Sequence, residues 1–315
     1  MFFSANNILL VYYNMDTIID DALSIKPEKI LQETDKIIWS YWNNTNLPEI
    51  IKLCIYTWKN NNPDYIICFV TEETLDKYIN INELPNYYYN KTHQYKSDII
   101  RLTLLEKYGG VWIDASILIN ESLSLTWELK DFDVGGYYLD LFTTNMNNPV
   151  FESWFIAAPK NSPLIKEWKK ELYLSCSYRD IRDYINYLKN DLYIDLQKID
   201  NPYYLCIHCC FLKVINNNKY NIKVLKAEDG PYIYLCKQNW STAYAIKYLL
   251  ENITDEIPKS IKLRSGERNL ILNYSKKNSI LDRIIKQNNF TLQTNNCLLL
   301  NEELFKIYRE KYQMC

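Results

Sequence analysis

The chain has 315 residues, 48% of them hydrophobic, and a formal net charge of −2. That length supports one large domain or a core with an added lobe, and the near-neutral charge excludes the broad basic field of a nucleic-acid binder. Nine cysteines, an odd number scattered along a long chain, argue against a disulfide framework and fit a reducing, cytoplasmic compartment.

Residues 1–13 are apolar but lack a basic flank and a small-residue cleavage site, so they read poorly as a signal peptide. They also fall short of the ~20 residues of a spanning helix. A soluble protein is expected, with peripheral contact to a membrane surface left open. Residues 1–35 read as an N-terminal extension. Residues 36–42 (K-I-I-W-S-Y-W) read as a first core strand, and Asn46 with Pro48 as the start of a helix running to Trp58. Residues 64–71 (D-Y-I-I-C-F-V-T) read as a second strand, with Thr71 capping a short helix over 72–79.

The most informative stretch follows: Tyr95-Lys-Ser97-Asp98-Ile-Ile-Arg101, then Glu106-Lys-Tyr-Gly109-Gly110-Val-Trp112-Ile-Asp114-Ala-Ser116. Asp98 and Arg101 are three apart and share a helical face. The glycine pair ends that helix, since glycine takes the left-handed conformation that a helix C-terminus needs. Residues 111–119 read as one buried strand interrupted by Asp114. A lone carboxylate among Val, Trp, Ile and Leu is costly to bury without a partner or a metal, which makes it a site candidate.

Further along, 133–138 and 151–158 read as strands, and 162–174 and 178–188 as helices. Beyond about residue 195 the pattern blurs. Residues 203–215 are continuously apolar, 232–236 read as a strand, and 275–315 as a peripheral segment. Alternating strands and helices indicate an α/β fold with a mainly parallel central sheet, whose ligands sit beyond the C-terminal ends of its strands. The expected division is a core over 36–160 and a remainder over 161–274.

Ser-Asp-x-x-Arg followed by Gly-Gly-x-Trp-x-Asp resembles the sugar-nucleotide glycosyltransferases with a DXD motif. It is similar to glycosyltransferase family 32, which includes capsular polysaccharide synthesis proteins, and to the large clostridial glucosylating toxins. The resemblance covers residues 36–159, and it implies that 36–160 is a nucleotide-sugar-binding core and that 161–274 holds the acceptor side and the remaining core. It implies a GT-A fold and a retaining transfer of sugar from a nucleotide donor, a UDP-sugar by preference, to a glycan, lipid-linked or protein acceptor. It implies that Trp39 stacks on the base, that Asp98 and Arg101 hold sugar or ribose hydroxyls, and that Asp114 is the first DXD aspartate. Ser97, Gly110, Trp112 and Ser116 would line the same pocket. The second DXD aspartate is replaced by Ser116, a weaker ligand for the expected Mn²⁺ or Mg²⁺. Asp114 is the expected metal ligand, and Asp229, Asn239 and Ser241 are alternatives for completing the metal or phosphate site, with His208 behind them.

Plainer readings accompany each of these. Asp98–Arg101 has the spacing of an ordinary surface ion pair. Asp114 could satisfy a helix cap, and Trp39 and Trp42 could simply pack. Cys206-Ile-His208-Cys209-Cys210 lacks a second ligand pair for zinc and reads as buried thiols. His93 reads as a helix-start or rim residue. Two rival functions are a catalytically silent nucleotide-sugar binding protein and a structural or interaction protein.

Overall fold

A computed structural model describes residues 15–24, 36–86, 88–270, 277–288 and 290. Six strands form the central sheet: β1 (Ile37–Tyr41), β2 (Ile66–Val70), β3 (Gly110–Ile113), β5 (Val134–Tyr138), β6 (Phe151–Ala158) and β7 (Ile222–Lys226). Their order is β2-β1-β3-β6-β5-β7. β1 runs parallel to β2 and β3, β5 runs parallel to β7, and β6 is antiparallel to both of its neighbours. The sheet is therefore mixed, with one reversed strand in a mainly parallel set. Two short strands, β4 (Ile117–Ile119) and β8 (Ser260–Lys262), pair antiparallel in a second sheet.

The two-residue period of β1 sorts its side chains between two cores. Ile38 joins the core that contains the helix Glu49–Asn61, while Ile37, Trp39 and Tyr41 join the one built with the helices His93–Tyr108, Pro163–Ser177 and Cys206–Asn217. Helices thus cover both faces, as buried parallel strands require. Ile18, Ile19 and Ala22 of the helix Met15–Ser24 lie in the first core, and so do Ile280, Leu281 and Ile284 of the helix Ile280–Gln287. Parts of the expected extension and of the peripheral segment therefore pack as core. Residues 1–14, 25–35 and 291–315 lie outside the described residues.

Several local expectations are corrected. Residues 111–119 are two strands in different sheets, because the chain turns at Asp114–Ser116. Pro48, not Asn46, occupies the cap position of the helix Glu49–Asn61, and no side chain caps it. Thr71 caps nothing: the short helix spans Leu75–Tyr78, and the Thr74 hydroxyl accepts from the Thr71 N–H instead. Residues 233–236 form a short helix, and the apolar run after Leu205 is the helix Cys206–Asn217. Among the described residues, no helix is long and apolar enough to cross a membrane.

Candidate functional site

The helix His93–Tyr108 begins where the Thr92 hydroxyl accepts the Tyr95 N–H, and ends at Gly109 with φ of 71°. Gly110 has φ of 99°, and a Cβ there would come within 2.6 Å of the Ile37 carbonyl oxygen. The glycine pair therefore lets the chain reverse and lays β3 directly against β1. This brings Asp114, just past the end of β3, beside the mid-helix pair Asp98 and Arg101. The Asp114 N–H continues the ladder by donating to the Trp154 carbonyl on β6 at 2.9 Å.

A cavity of about 620 Å³ opens at the C-terminal ends of β1 and β3. Ser97, Asp98, Arg101, Asp114 and Ser116 all line it, so the structure brings these sequence candidates together. Arg101 sits at the centre of their network. Its guanidinium lies 3.2 Å from Asp98 and 3.3 Å from Asp114, and donates to the Ser153 carbonyl at 2.5 Å and to the Ser97 hydroxyl at 3.0 Å. Trp112 lies behind the lining, fully buried, with its ring 5.0 Å from the Arg101 guanidinium and its indole N–H donating to Asp114 Oδ1 at 3.0 Å. Trp112 thus positions the Arg101–Asp114 pair from behind.

Trp39 is a correction. It is 0% exposed and does not line the cavity. Its indole N–H donates to the Gly109 carbonyl at 2.9 Å, and its ring packs against Tyr78 and Tyr108. The alternation of β1 turns it under the central helix. Trp42, past the strand end, lines the cavity instead, with the Arg268 guanidinium 5.0 Å from its ring. Asp229 is exposed and, like Asn239 and Ser241, lies outside the cavity lining. Gly110 acts through the backbone turn alone.

Four charged lining residues escaped sequence reasoning. Lys262, at the end of β8, places its ammonium 2.8 Å from Asp114 Oδ2 and 3.5 Å from the Ser116 hydroxyl. Arg264, just before the short helix Ser265–Leu270, is held by Glu267 at 2.7 Å, and Arg268 lies on that helix. The cationic spacing of Lys262, Arg264 and Arg268 was the available signal. Glu152 on β6 carries the same signature as Asp114, a lone carboxylate in an apolar strand. The Trp154 indole donates to it at 2.5 Å, and His208 lies 3.8 Å away.

Burial pushes the Asp98 carboxyl up to about 7, with Arg101 opposing the rise and Asp114 adding to it. Burial likewise pushes Glu152 up to about 7, against the Trp154 hydrogen bond. At Asp114 burial acts in the same direction, yet Lys262 and Arg101 outweigh it and hold the carboxyl below its ordinary value. His208 falls to about 3 through burial and the nearby Arg101, so it is a neutral imidazole, and neither ring nitrogen has a hydrogen-bond partner among the described residues. The cavity therefore combines one firmly ionised carboxylate between two cations with two carboxyls poised near neutrality.

The expected divalent cation does not fit these residues as they stand. Asp114 Oδ1 faces Arg101 and the Trp112 indole N–H, and Oδ2 faces Lys262. The Ser116 hydroxyl donates to the Leu263 carbonyl at 2.8 Å. No group of three or more His, Cys, Asp or Glu that could hold a metal exists among the described residues.

O-glycosyltransferase braB of Annulohypoxylon truncatum is 29% identical over 152 residues, which make up 43% of this chain and 36% of that protein. Glycosyltransferase afumC of Aspergillus fumigatus is 26% identical over 168 residues, 48% of this chain and 42% of that protein. The chain thus spans about two fifths of the length of the curated relatives it matches. Among solved structures, the PaToxG glycosyltransferase superposes with a TM-score of 0.39 at 18% identity, covering 86% of this chain and 92% of that one. The glycosyltransferase GlyE of Streptococcus pneumoniae gives 0.43 at 9% identity, covering 89% and 64%. The pattern described for capsular polysaccharide synthesis proteins matches residues 4–264, most of the chain including Asp98, Arg101, Asp114 and Lys262. The chain therefore belongs to the capsular polysaccharide synthesis protein family.

Proposed function

We infer that the protein is a GT-A-type glycosyltransferase that takes a sugar from a nucleoside diphosphate donor, a UDP-sugar by preference. The acceptor would be a glycan, a lipid-linked glycan or a protein. The observation that carries this reading is the meeting of Asp98, Arg101, Asp114 and Lys262 in one cavity at the strand ends of an α/β sheet. Family membership and the named glycosyltransferase relatives support the same reaction class.

Among the described residues, Asp98 has fewer polar partners than Asp114. Its one ion pair among the described residues is with Arg101, while Arg101 is itself engaged by Asp114, the Ser153 carbonyl and the Ser97 hydroxyl. In this reading Asp98 accepts hydrogen bonds from donor sugar or ribose hydroxyls, and Arg101 fixes the position of both aspartates. In the transfer, the bond between the sugar anomeric carbon and the diphosphate oxygen breaks, leaving its electron pair on the diphosphate. The acceptor oxygen bonds to that carbon and its proton passes to the leaving diphosphate. Attack on the face that the leaving group vacates preserves the anomeric configuration.

The test is thermal unfolding of the folded protein with UDP-, GDP- and CMP-sugars, beside Asp114→Ala, followed by assays of hydrolysis and transfer. Ligand bound to the folded state raises Tm by mass action. A shift with one nucleotide class, lost in the variant and accompanied by sugar release, supports the reading. Binding without turnover supports the silent-binder alternative, and no shift from any donor refutes both.

A further inference from the structure

We propose that this protein neutralises the donor diphosphate with its own cations, Lys262 and Arg268, where the DXD pattern would place a divalent metal. The inference rests on the glycosyltransferase reading for the identity of the ligand, though not for the geometry.

Three observations carry it. The Lys262 ammonium lies 2.8 Å from Asp114 Oδ2, on the oxygen a metal would have to claim, and its side chain is only 10% exposed. A cation bound there would sit at about 2.1 Å from Oδ2 with the ammonium beside it and Arg101 on the other oxygen. Its charge would add to two cations already facing one carboxylate, which is repulsive at any effective dielectric. Second, the position that would supply a second carboxylate is Ser116, whose hydroxyl proton is committed to the Leu263 carbonyl and whose oxygen faces Lys262 at 3.5 Å. Third, the cavity holds a cation in excess. Asp114 is shared by Arg101 and Lys262, and Arg264 is paired with Glu267. Arg268 lines the cavity with the face of Trp42 as its neighbour and forms no ion pair among the described residues.

An ammonium and a guanidinium can do electrostatically what the metal does. They meet the charge that develops on the diphosphate as the sugar–oxygen bond breaks, and being already in place they need little reorganisation. Arg268 is suited to bidentate contact with a phosphate, and Lys262 to a point contact on the bridging region. Ser116 replaces the second aspartate coherently, because a carboxylate there would compete with the diphosphate for Lys262.

The experiment is calorimetric titration of the full chain with inorganic diphosphate, UDP and GDP, each in EDTA and in Mn²⁺. The wild type is compared with Lys262→Met and Arg268→Gln, and folding of each is checked by circular dichroism. Expected is binding in EDTA with Kd within about threefold of the Mn²⁺ value, weakened roughly tenfold or more in each variant, as loss of a charge-assisted hydrogen bond predicts. Lys262→Met leaves Asp114 with Arg101 alone and could impair folding. Arg268→Gln breaks no ion pair, so it keeps the test decisive. Binding of a nucleoside diphosphate only with Mn²⁺ overturns the proposal and leaves the glycosyltransferase reading standing. Binding of inorganic diphosphate in EDTA without any nucleotide upholds the cationic site and overturns the donor reading. No binding of any probe by folded protein overturns both.

Discussion

Replacing Glu152 by glutamine is expected to stabilise the protein at alkaline pH and to do little at acid pH. Glu152 is 6% exposed, and burial moves its carboxyl from its ordinary 4.5 to about 7 in the folded chain. A raised folded-state value means that the stability linked to this group is present below pH 4.5 and is lost as pH rises through 7. At about 1.4 kcal/mol per tenfold change in proton affinity, the full loss is about 3 kcal/mol. The unfolded carboxyl is already largely ionised near pH 5, so the stability gained by Glu152→Gln differs by about 2.5 kcal/mol between about pH 5 and about pH 8. Glutamine keeps an acceptor for the Trp154 indole N–H, which donates at 2.5 Å, and so removes the charge without removing the partner. Equilibrium urea unfolding of wild type and variant at the two pH values measures the difference. An equal effect at both, or a larger gain at the lower pH, refutes the assignment of a buried, near-neutral carboxyl.

Asp114→Asn is expected to destabilise by about 3 kcal/mol at neutral pH, because it leaves the Arg101 and Lys262 charges facing a neutral amide, and denaturant unfolding reads this directly. Trp39→Phe is expected to cost about 1–3 kcal/mol through the lost bond to the Gly109 carbonyl and poorer packing against Tyr78 and Tyr108. It leaves nucleotide affinity unchanged, and a loss of affinity at unchanged stability would contradict the buried position. Gly110→Ala is expected to cost at least about 2 kcal/mol, seen as a lowered Tm, since φ of 99° is strained for alanine and its Cβ would meet the Ile37 carbonyl oxygen at 2.6 Å.

The sequence by itself determined the helix–turn–strand unit and the residues worth watching in it. Helical spacing alone joins Asp98 to Arg101, and the glycine pair marks the reversal that aims Asp114 at them. These are short-range constraints, written within twenty residues of one another. The alternation of β1 was equally visible, yet it states only that Trp39 and Ile38 face opposite ways. Which face the central helix covers is a matter of packing, and that packing buried Trp39 and left Trp42 at the cavity. The turn at Asp114–Ser116 was hidden because Ile117–Ile119 is as apolar as β3, so the run read as one strand.

Tertiary structure alone decided the electrostatics of the site. Lys262 lies 148 residues from Asp114 in the chain and meets it because β4 pairs with β8. Glu152 enters because β6 runs antiparallel beside β3. Pairing between distant strands depends on which faces and edges remain free once the core has closed, and no local pattern encodes it. The sequence therefore named Asp98, Arg101 and Asp114, and the fold supplied Glu152 and the further cations Lys262, Arg264 and Arg268 that decide what those acids can hold.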